Sequence, residues 1–227
     1  MSLNKTSFIE LAIKNNVLQF GNFITKAGRE SPYFFNLGAF DNGVSIKSLG
    51  QFYANRILET NIKFDMLYGP AYKGITLVTS IAISLAEQGV NIPYCFNRKE
   101  AKDHGEGGNI VGAPINGNVL IIDDVISAGT SINESNKLIR NNGGYPVGVF
   151  VAIDRQEKGP HGLTATAEVS SNLELPVYSI INLMDIISYL NQSNIYEDEL
   201  TKIKVFKKKY EITEKFFVLV THLLVMG

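Results

Sequence analysis

The stretch of sequence that decides the fold is Val119-Leu120-Ile121-Ile122-Asp123-Asp124-Val125-Ile126-Ser127-Ala128-Gly129-Thr130-Ser131. Its four leading apolar residues predict a buried strand, two adjacent carboxylates follow, and a small-residue loop leads into a helix. Helical and extended patterns alternate on both sides of this stretch, which is typical of a parallel sheet with helices on both faces. Ligands of such sheets bind at the carboxyl ends of the strands, so we expect a binding site here.

The loop from Ser127 to Ser131 contains groups that hold phosphate. It offers three hydroxyls, backbone N–H groups and a helix N-terminus. The two acids, Asp123 and Asp124, lie where a ribose diol and a hydrated Mg²⁺ would be. A capped turn is the alternative, and each residue alone fits it, but paired acids at a buried strand end repel each other without compensation. We therefore favour a site for phosphate, sugar and metal.

The rest of the chain supports an α/β fold. A capping box at Ser7-Phe8-Ile9-Glu10 predicts a first helix that ends near Asn15. Residues 45–59 place their apolar side chains on one helical face, and residues 65–69 indicate a short buried strand. Residues 99–113 combine glycines with charges and show no periodicity, so we expect a loop there. Neither a P-loop nor a dinucleotide-binding glycine motif is present in the sequence.

Composition restricts the classes of protein to consider. The 227 residues suit one domain, and a net charge of −1 provides no overall field that favours nucleic acid. The single cysteine, Cys95, rules out a disulfide within the chain. Its apolar neighbours indicate a small buried side chain in preference to a catalytic thiol.

Hydropathy favours a cytoplasmic protein. The first residues have no apolar core of signal-peptide length. No stretch reaches the ~18–20 apolar residues that cross a bilayer, and the apolar run at residues 216–226 is short and interrupted. We therefore expect no membrane association.

The central stretch resembles the diphosphoribose-binding motif of type I phosphoribosyltransferases. Four further segments, residues 26–36, 68–74, 94–108 and 153–157, are together similar to the orotate phosphoribosyltransferase family of the bacterial and fungal type. The resemblance runs from about residue 5 to about residue 211. Residues 94–108 are highly specific, because the purine members of the superfamily have different loops there.

This resemblance implies the type I phosphoribosyltransferase fold, a central and mainly parallel sheet flanked by helices with a small hood. The hood would come largely from residues 1–40 and later segments of a single domain, residues 1–211. Residues 212–227 extend past the resemblance, and we assign them no role.

The implied reaction converts orotate and phosphoribosyl pyrophosphate into orotidine 5′-monophosphate and pyrophosphate, a step of pyrimidine biosynthesis. Mg²⁺ would be carried by phosphoribosyl pyrophosphate near Asp123 and Asp124, with no direct protein ligand. The family also implies a homodimer in which a lid loop is shared between subunits.

The resemblance assigns roles to individual residues. The implied contacts to phosphoribosyl pyrophosphate are Tyr72, Lys73, Asp123, Asp124, Val125, Ile126, Ser127, Ala128, Gly129, Thr130 and Ser131. The implied contacts to the base are Phe34, Phe35 and Arg155, and Lys26 would touch the base or the pyrophosphate. The lid residues are Arg98, Lys99, Lys102 and His104. Asp123, Asp124, Arg98, Lys102 and His104 are the catalytic candidates. The family also implies an often cis peptide in the loop of Tyr72, and Ser127 departs from its usual Thr.

Physical chemistry supports these roles and leaves alternatives open. A guanidinium holds a carboxylate through two parallel hydrogen bonds, and orotate has a carboxylate that uracil lacks. Arg155 could instead pair with Glu157, Phe34 or Phe35 could belong to the core, and the lid cations could form a solvated loop. A transferase for another base and a non-catalytic regulator that senses phosphoribosyl pyrophosphate are the competing functions.

Overall fold

The computed structural model describes residues 4–25, 28–102, 108–126, 129–158, 162–193 and 195–210. The helices are α1 (Lys5–Lys14), α2 (Gly43–Glu59), α3 (Lys73–Glu87), α4 (Thr130–Asn141), α5 (Ala165–Leu173), α6 (Leu183–Gln192) and α7 (Glu197–Tyr210). The strands are β1 (Leu18–Ile24), β2 (Glu30–Phe35), β3 (Met66–Gly69), β4 (Tyr94–Lys102), β5 (Gly108–Gly112), β6 (Asn118–Ile122), β7 (Tyr145–Asp154) and β8 (Val177–Asn182).

The central sheet has six strands in the order β5-β4-β3-β6-β7-β8. All neighbouring pairs are parallel except β4 and β5, which pair antiparallel at one edge. The mainly parallel sheet predicted from the alternating pattern is therefore confirmed. Strand β6 lies in the middle, so the acids that follow it emerge at the centre of one edge.

Strand β6 is apolar because helices cover both of its faces. Leu120 and Ile122 belong to one buried cluster, whereas Val119 and Ile121 belong to another. Successive side chains of a strand point to opposite faces, so two separate cores require a continuous apolar run. This double burial fixes the strand firmly and gives the following residues a rigid support.

Strand β3 and helix α3 meet unusually closely. A Cβ atom added to Gly69 would lie 2.1 Å from the carbonyl oxygen of Gly74, and one added to Gly74 would lie 2.6 Å from the carbonyl carbon of Gly69. Two glycines are therefore needed where the chain turns from the strand into the helix. The turn holds Tyr72 and Lys73 at the carboxyl end of β3.

A second, two-stranded sheet consists of β1 paired antiparallel with β2. Its Tyr33 is fully buried and meets Phe206 of α7 edge to face, with ring centroids 6.0 Å apart. Helix α7 thus packs against this small sheet. None of the helices in the described part of the chain combines the length and apolar character needed for a bilayer crossing.

Two local predictions differ from the structure. The capping box of α1 is formed by Asn4 with Ser7 as its partner, because α1 begins at Lys5 and Ser7 is its third residue. The region from 99 to 113, expected to be a loop, contributes the end of β4 and all of β5. Helix α5 and strand β8 were not predicted.

Candidate active site

Asp123 and Asp124 lie at the carboxyl end of β6, as predicted. Asp123 is buried, with 8% of its surface exposed, and Asp124 is slightly more accessible. The amide of Asp124 donates to the Asp123 carboxylate over 2.9 Å, and the amide of Val125 donates to the Asp124 carboxylate over the same distance. Each acid is therefore oriented by the backbone that follows it.

The acidic pair has unusual electrostatics. Burial raises the pKa of the Asp123 carboxyl to about 7, and the charge of Asp124 adds to this rise. Hydrogen bonds from the Asp124 amide and from Ser131 oppose it. A carboxyl with a pKa near 7 ionises at neutral pH once a cation or a hydroxyl donor stabilises its charged form.

The loop after β3 brings a cation to this pair. Lys73 forms an ion pair with the Asp124 carboxylate. The Ala71 amide donates to the Asn97 side chain over 2.8 Å, and the Ala71–Tyr72 peptide is cis, as expected. Tyr72 is 67% exposed, and the Lys99 ammonium lies 4.8 Å from the centre of its ring. This loop therefore presents charge and a ring beside the acids.

Helix α4 begins on the other side of the acids. Gly129 has a left-handed φ of 71° and precedes Thr130 and Ser131, the first two residues of the helix. No described side chain caps these first amides. Exposed N–H groups and hydroxyls at a helix N-terminus suit a phosphate. Val125 and Ile126 pack into the two cores, so they position the loop.

Arg155 follows β7 and so reaches the same edge of the sheet. It does pair with Glu157, but the pair is not a surface one, because 18% and 14% of the two side chains are exposed. Its guanidinium carbon lies 4.3 Å from the centre of the Tyr33 ring. The alternative pairing with Glu157 is therefore present in the structure, at a largely buried position and not on the open surface.

The two phenylalanines of β2 have different surroundings. Phe34 is 40% exposed and stacks on Phe23, with ring centroids 5.4 Å apart. Phe35 is half-buried and packs against the main core. Core packing therefore describes Phe35, whereas Phe34 retains an accessible ring.

Part of the predicted site cannot be placed. Lys26, His104, Ser127 and Ala128 lie outside the described residues, as does the side chain of Lys102. Arg98 is half-buried and Lys99 is exposed, both on β4. The residues missed by sequence reasoning are Tyr53 and Asn97, whose contacts depend on chain segments far away in sequence.

The acids fit a hydrated divalent cation. Carboxylate oxygens are the ligands that Mg²⁺ prefers, and this ion usually keeps several waters and binds with substrate phosphates. Within the described residues no group of three or more His, Cys, Asp or Glu forms a metal cage. Asp123 and Asp124 therefore suit a hydrated Mg²⁺ that would be carried to them by a phosphorylated substrate.

A separate cavity of about 450 Å³ lies among α1, α2 and α3. It is lined by Leu11, Gln51, Asn55 and Glu87, among others, and by none of the predicted site residues. The acidic pair instead faces the open edge of the sheet. An open edge suits a substrate that must be covered by another segment before it reacts.

An acidic pair after a central strand, a helix that begins next to it and a neighbouring lysine loop are the arrangement expected of a phosphoribosyltransferase. Residues 39–176 match the phosphoribosyl transferase domain family, and the chain belongs to this family.

Similar proteins place the chain more narrowly. It is 53% identical to orotate phosphoribosyltransferase from Laribacter hongkongensis, over 93% of this chain and 100% of the relative. It is 56% identical to the enzyme of the same name from Nitrosospira multiformis, over 92% of each chain. The crystal structure of orotate phosphoribosyltransferase from Francisella tularensis is 41% identical and has a TM-score of 0.82, over 90% of this chain and 99% of that one. The chain is thus a member of the orotate phosphoribosyltransferases.

Proposed function

We propose that the described edge of the sheet transfers a phosphoribosyl group from phosphoribosyl pyrophosphate to orotate. The observation that supports this most strongly is convergence: Asp123, Asp124, Lys73 and Arg155 follow three different strands and reach one edge. The acids suit the ribose hydroxyls and a hydrated cation, whereas Arg155 suits a planar carboxylate.

In the reaction, a ring nitrogen of the base forms a bond to the anomeric carbon while the bond to pyrophosphate breaks. Positive charge develops on the sugar and negative charge on the leaving group. The protein then acts mainly by positioning and by electrostatic stabilisation. Orotate would react with this ring nitrogen already deprotonated, its proton having been released to solvent, so no strong general base would be required.

Individual side chains have distinct tasks in this proposal. Asp123 and Asp124 hold the ribose hydroxyls, and Mg²⁺ carried by the substrate near them would offset the charge of pyrophosphate. Lys73 moves from Asp124 to the pyrophosphate, which the 52% exposure of its side chain permits. The start of α4 holds the 5′-phosphate, with Thr130 and Ser131 as donors.

The base site uses β2 and the segment after β7. Phe34 offers an accessible ring face to a flat heterocycle, and Arg155 binds its carboxylate. By family resemblance, Lys26 would contact the base or the pyrophosphate. This arrangement would reject uracil, because a site built around a charged partner loses affinity when that partner is missing.

The proposal extends to a homodimer with a shared lid and to a cytoplasmic location. Arg98, Lys99, Lys102 and His104 would cover the pyrophosphate and exclude water, and part of this lid would serve the neighbouring subunit. Mixing inactive Lys102→Ala subunits with inactive Asp124→Asn subunits tests the shared lid. Activity should partly return after exchange, and its absence despite demonstrated exchange would contradict sharing.

The decisive experiment follows orotate absorbance after addition of phosphoribosyl pyrophosphate and Mg²⁺, beside uracil, adenine and hypoxanthine. Orotate alone should be consumed. Asp123→Asn and Asp124→Asn should lose most turnover while remaining folded, because the acids act on bound substrate. Consumption of adenine or hypoxanthine in place of orotate would show that the substrate is a purine. Absence of turnover with every base would favour a non-catalytic regulator of the same fold.

A further inference from the structure

Arg155 is held by a dense set of contacts. Its Nε donates to Oε1 of Glu157 over 2.7 Å, and its Nη2 lies 2.6 Å from the same oxygen. Nη2 also donates to the Ser31 hydroxyl over 3.2 Å. Two of the three guanidinium nitrogens are thus committed to side chains of the protein.

Tyr33 also contacts Arg155, on one face of the guanidinium. Its ring lies under the guanidinium, and its hydroxyl donates to the same Glu157 oxygen over 3.1 Å. Burial raises the pKa of Tyr33 far above its ordinary value, so the phenol remains a donor at every working pH. The Ser31 hydroxyl donates to the Tyr33 carbonyl over 2.7 Å, and its oxygen accepts from Arg155 and, over 3.5 Å, from the Tyr33 amide.

These contacts fix the plane of the Arg155 guanidinium and use two of its three nitrogens. No described residue accepts a hydrogen bond from Nη1 of Arg155. A free arginine side chain has large rotational freedom, whereas an Nη1 that donates to a substrate carboxylate must point in one direction. Here that freedom is lost when the protein folds, before any ligand binds.

We infer that Tyr33 and Glu157 are positioning residues that determine recognition of the substrate carboxylate by orienting Arg155. This inference rests on the proposed function, in which Arg155 binds the carboxylate of orotate. Neither residue needs to touch the substrate. Phe206 supports Tyr33 from behind, so the last described helix contributes to base recognition through one aromatic contact.

Two conservative variants test the inference by steady-state kinetics. Tyr33→Phe keeps the ring and removes the hydroxyl, and Glu157→Gln keeps the shape and removes the charge. Each should raise the KM for orotate about tenfold, the scale of a lost hydrogen bond to a charged group. The KM for phosphoribosyl pyrophosphate and the kcat should change less than twofold, because the acidic pair is untouched. Tyr189→Phe, a half-buried tyrosine of α6, is the matched control and should change neither KM.

A double variant separates positioning from general stability. If Tyr33 acts through Arg155, adding Tyr33→Phe to Arg155→Ala should not raise the KM for orotate further. Multiplicative effects, or equal changes for both substrates, would overturn the inference. If the wild-type chain consumes orotate and the variants have unchanged KM values, the inference is overturned and the proposed function stands. A wild-type chain that does not consume orotate overturns the proposed function, and the inference with it.

Discussion

The hydroxyl of Tyr53 donates a hydrogen bond to the backbone carbonyl of Asp123 over 2.8 Å, deep inside the protein. The pairing of β6 with β3 ends at Ile121, so the Asp123 carbonyl lies beyond the last paired residue. Helix α2 supplies the donor for this carbonyl. Burial raises the pKa of Tyr53 well above its ordinary value, which keeps the hydroxyl protonated. One peptide of the acidic pair is thus fixed by a residue 70 positions away.

Tyr53→Phe should destabilise the protein and lower turnover. The change leaves a buried carbonyl without its donor, which costs about 1–3 kcal/mol in the free energy of unfolding. Turnover should fall because Asp123 loses a constraint on its backbone. Urea unfolding and initial rates measure both effects. Tyr178→Phe is the control, since Tyr178 stacks on the same Phe150 ring that Tyr53 packs against and is only half-buried. Equal effects of the two changes would argue against a special role for Tyr53.

The titration of Asp123 predicts how stability depends on pH. Its pKa is raised from an ordinary value of 3.8 to about 7, first by burial and then by Asp124. Between these values the folded protein retains a proton that the unfolded chain has released, so the contribution of Asp123 to stability falls as pH rises. Above about pH 7 both states are ionised and the contribution stays constant.

Asp123→Asn removes this titration while keeping the shape of the side chain. The free energy of unfolding of the variant, relative to wild type, should therefore rise between about pH 4 and pH 7 and level off above it. Urea unfolding at a series of pH values measures the difference. A difference independent of pH would mean that Asp123 titrates normally in the folded protein.

Lys73 and Asp124 should be coupled before any substrate binds, because they form an ion pair across two loops. Since half of the lysine side chain is exposed, we expect a coupling of only ~0.2–1 kcal/mol. A double-mutant cycle with Lys73→Met and Asp124→Asn measures it by urea unfolding. The exposed pair of Lys47 and Glu87, whose charged atoms lie 3.9 Å apart, should show a smaller coupling in the same cycle. Strict additivity at Lys73 and Asp124 would show that the contact contributes nothing.

Much of the fold follows from local sequence, because the central strands carry an unambiguous signal. Val119 to Ile122 are buried on both faces, and a continuous apolar run predicts such a strand directly. Strand β5 was missed because it is a short edge strand with two glycines and gains its order from pairing with β4. Such pairing leaves no periodicity in the segment itself.

The site was predictable to the extent that its residues form contiguous motifs. The acids and the loop of Lys73 are each local in sequence, and both reach the expected edge. The supports of these residues could not be predicted in the same way. Tyr33 precedes Glu157 by 124 positions, and only the packing of β2 against the segment after β7 brings them together.

The close approach of β3 to α3 predicts a sharp effect of a single methyl group. In Gly69→Ala the new Cβ would lie 2.1 Å from the carbonyl oxygen of Gly74, so the start of α3 must move. The backbone of Gly74 cannot rotate away as a flexible side chain could. Overpacking of this kind lowers the free energy of unfolding by about 1–3 kcal/mol. The displaced turn carries Tyr72 and Lys73, so the KM for phosphoribosyl pyrophosphate should rise more than that for orotate. Gly43→Ala is the matched control, because a Cβ added at Gly43 meets nothing within 4 Å. Urea unfolding and KM values for both substrates test the prediction, which fails if Gly69→Ala behaves like Gly43→Ala.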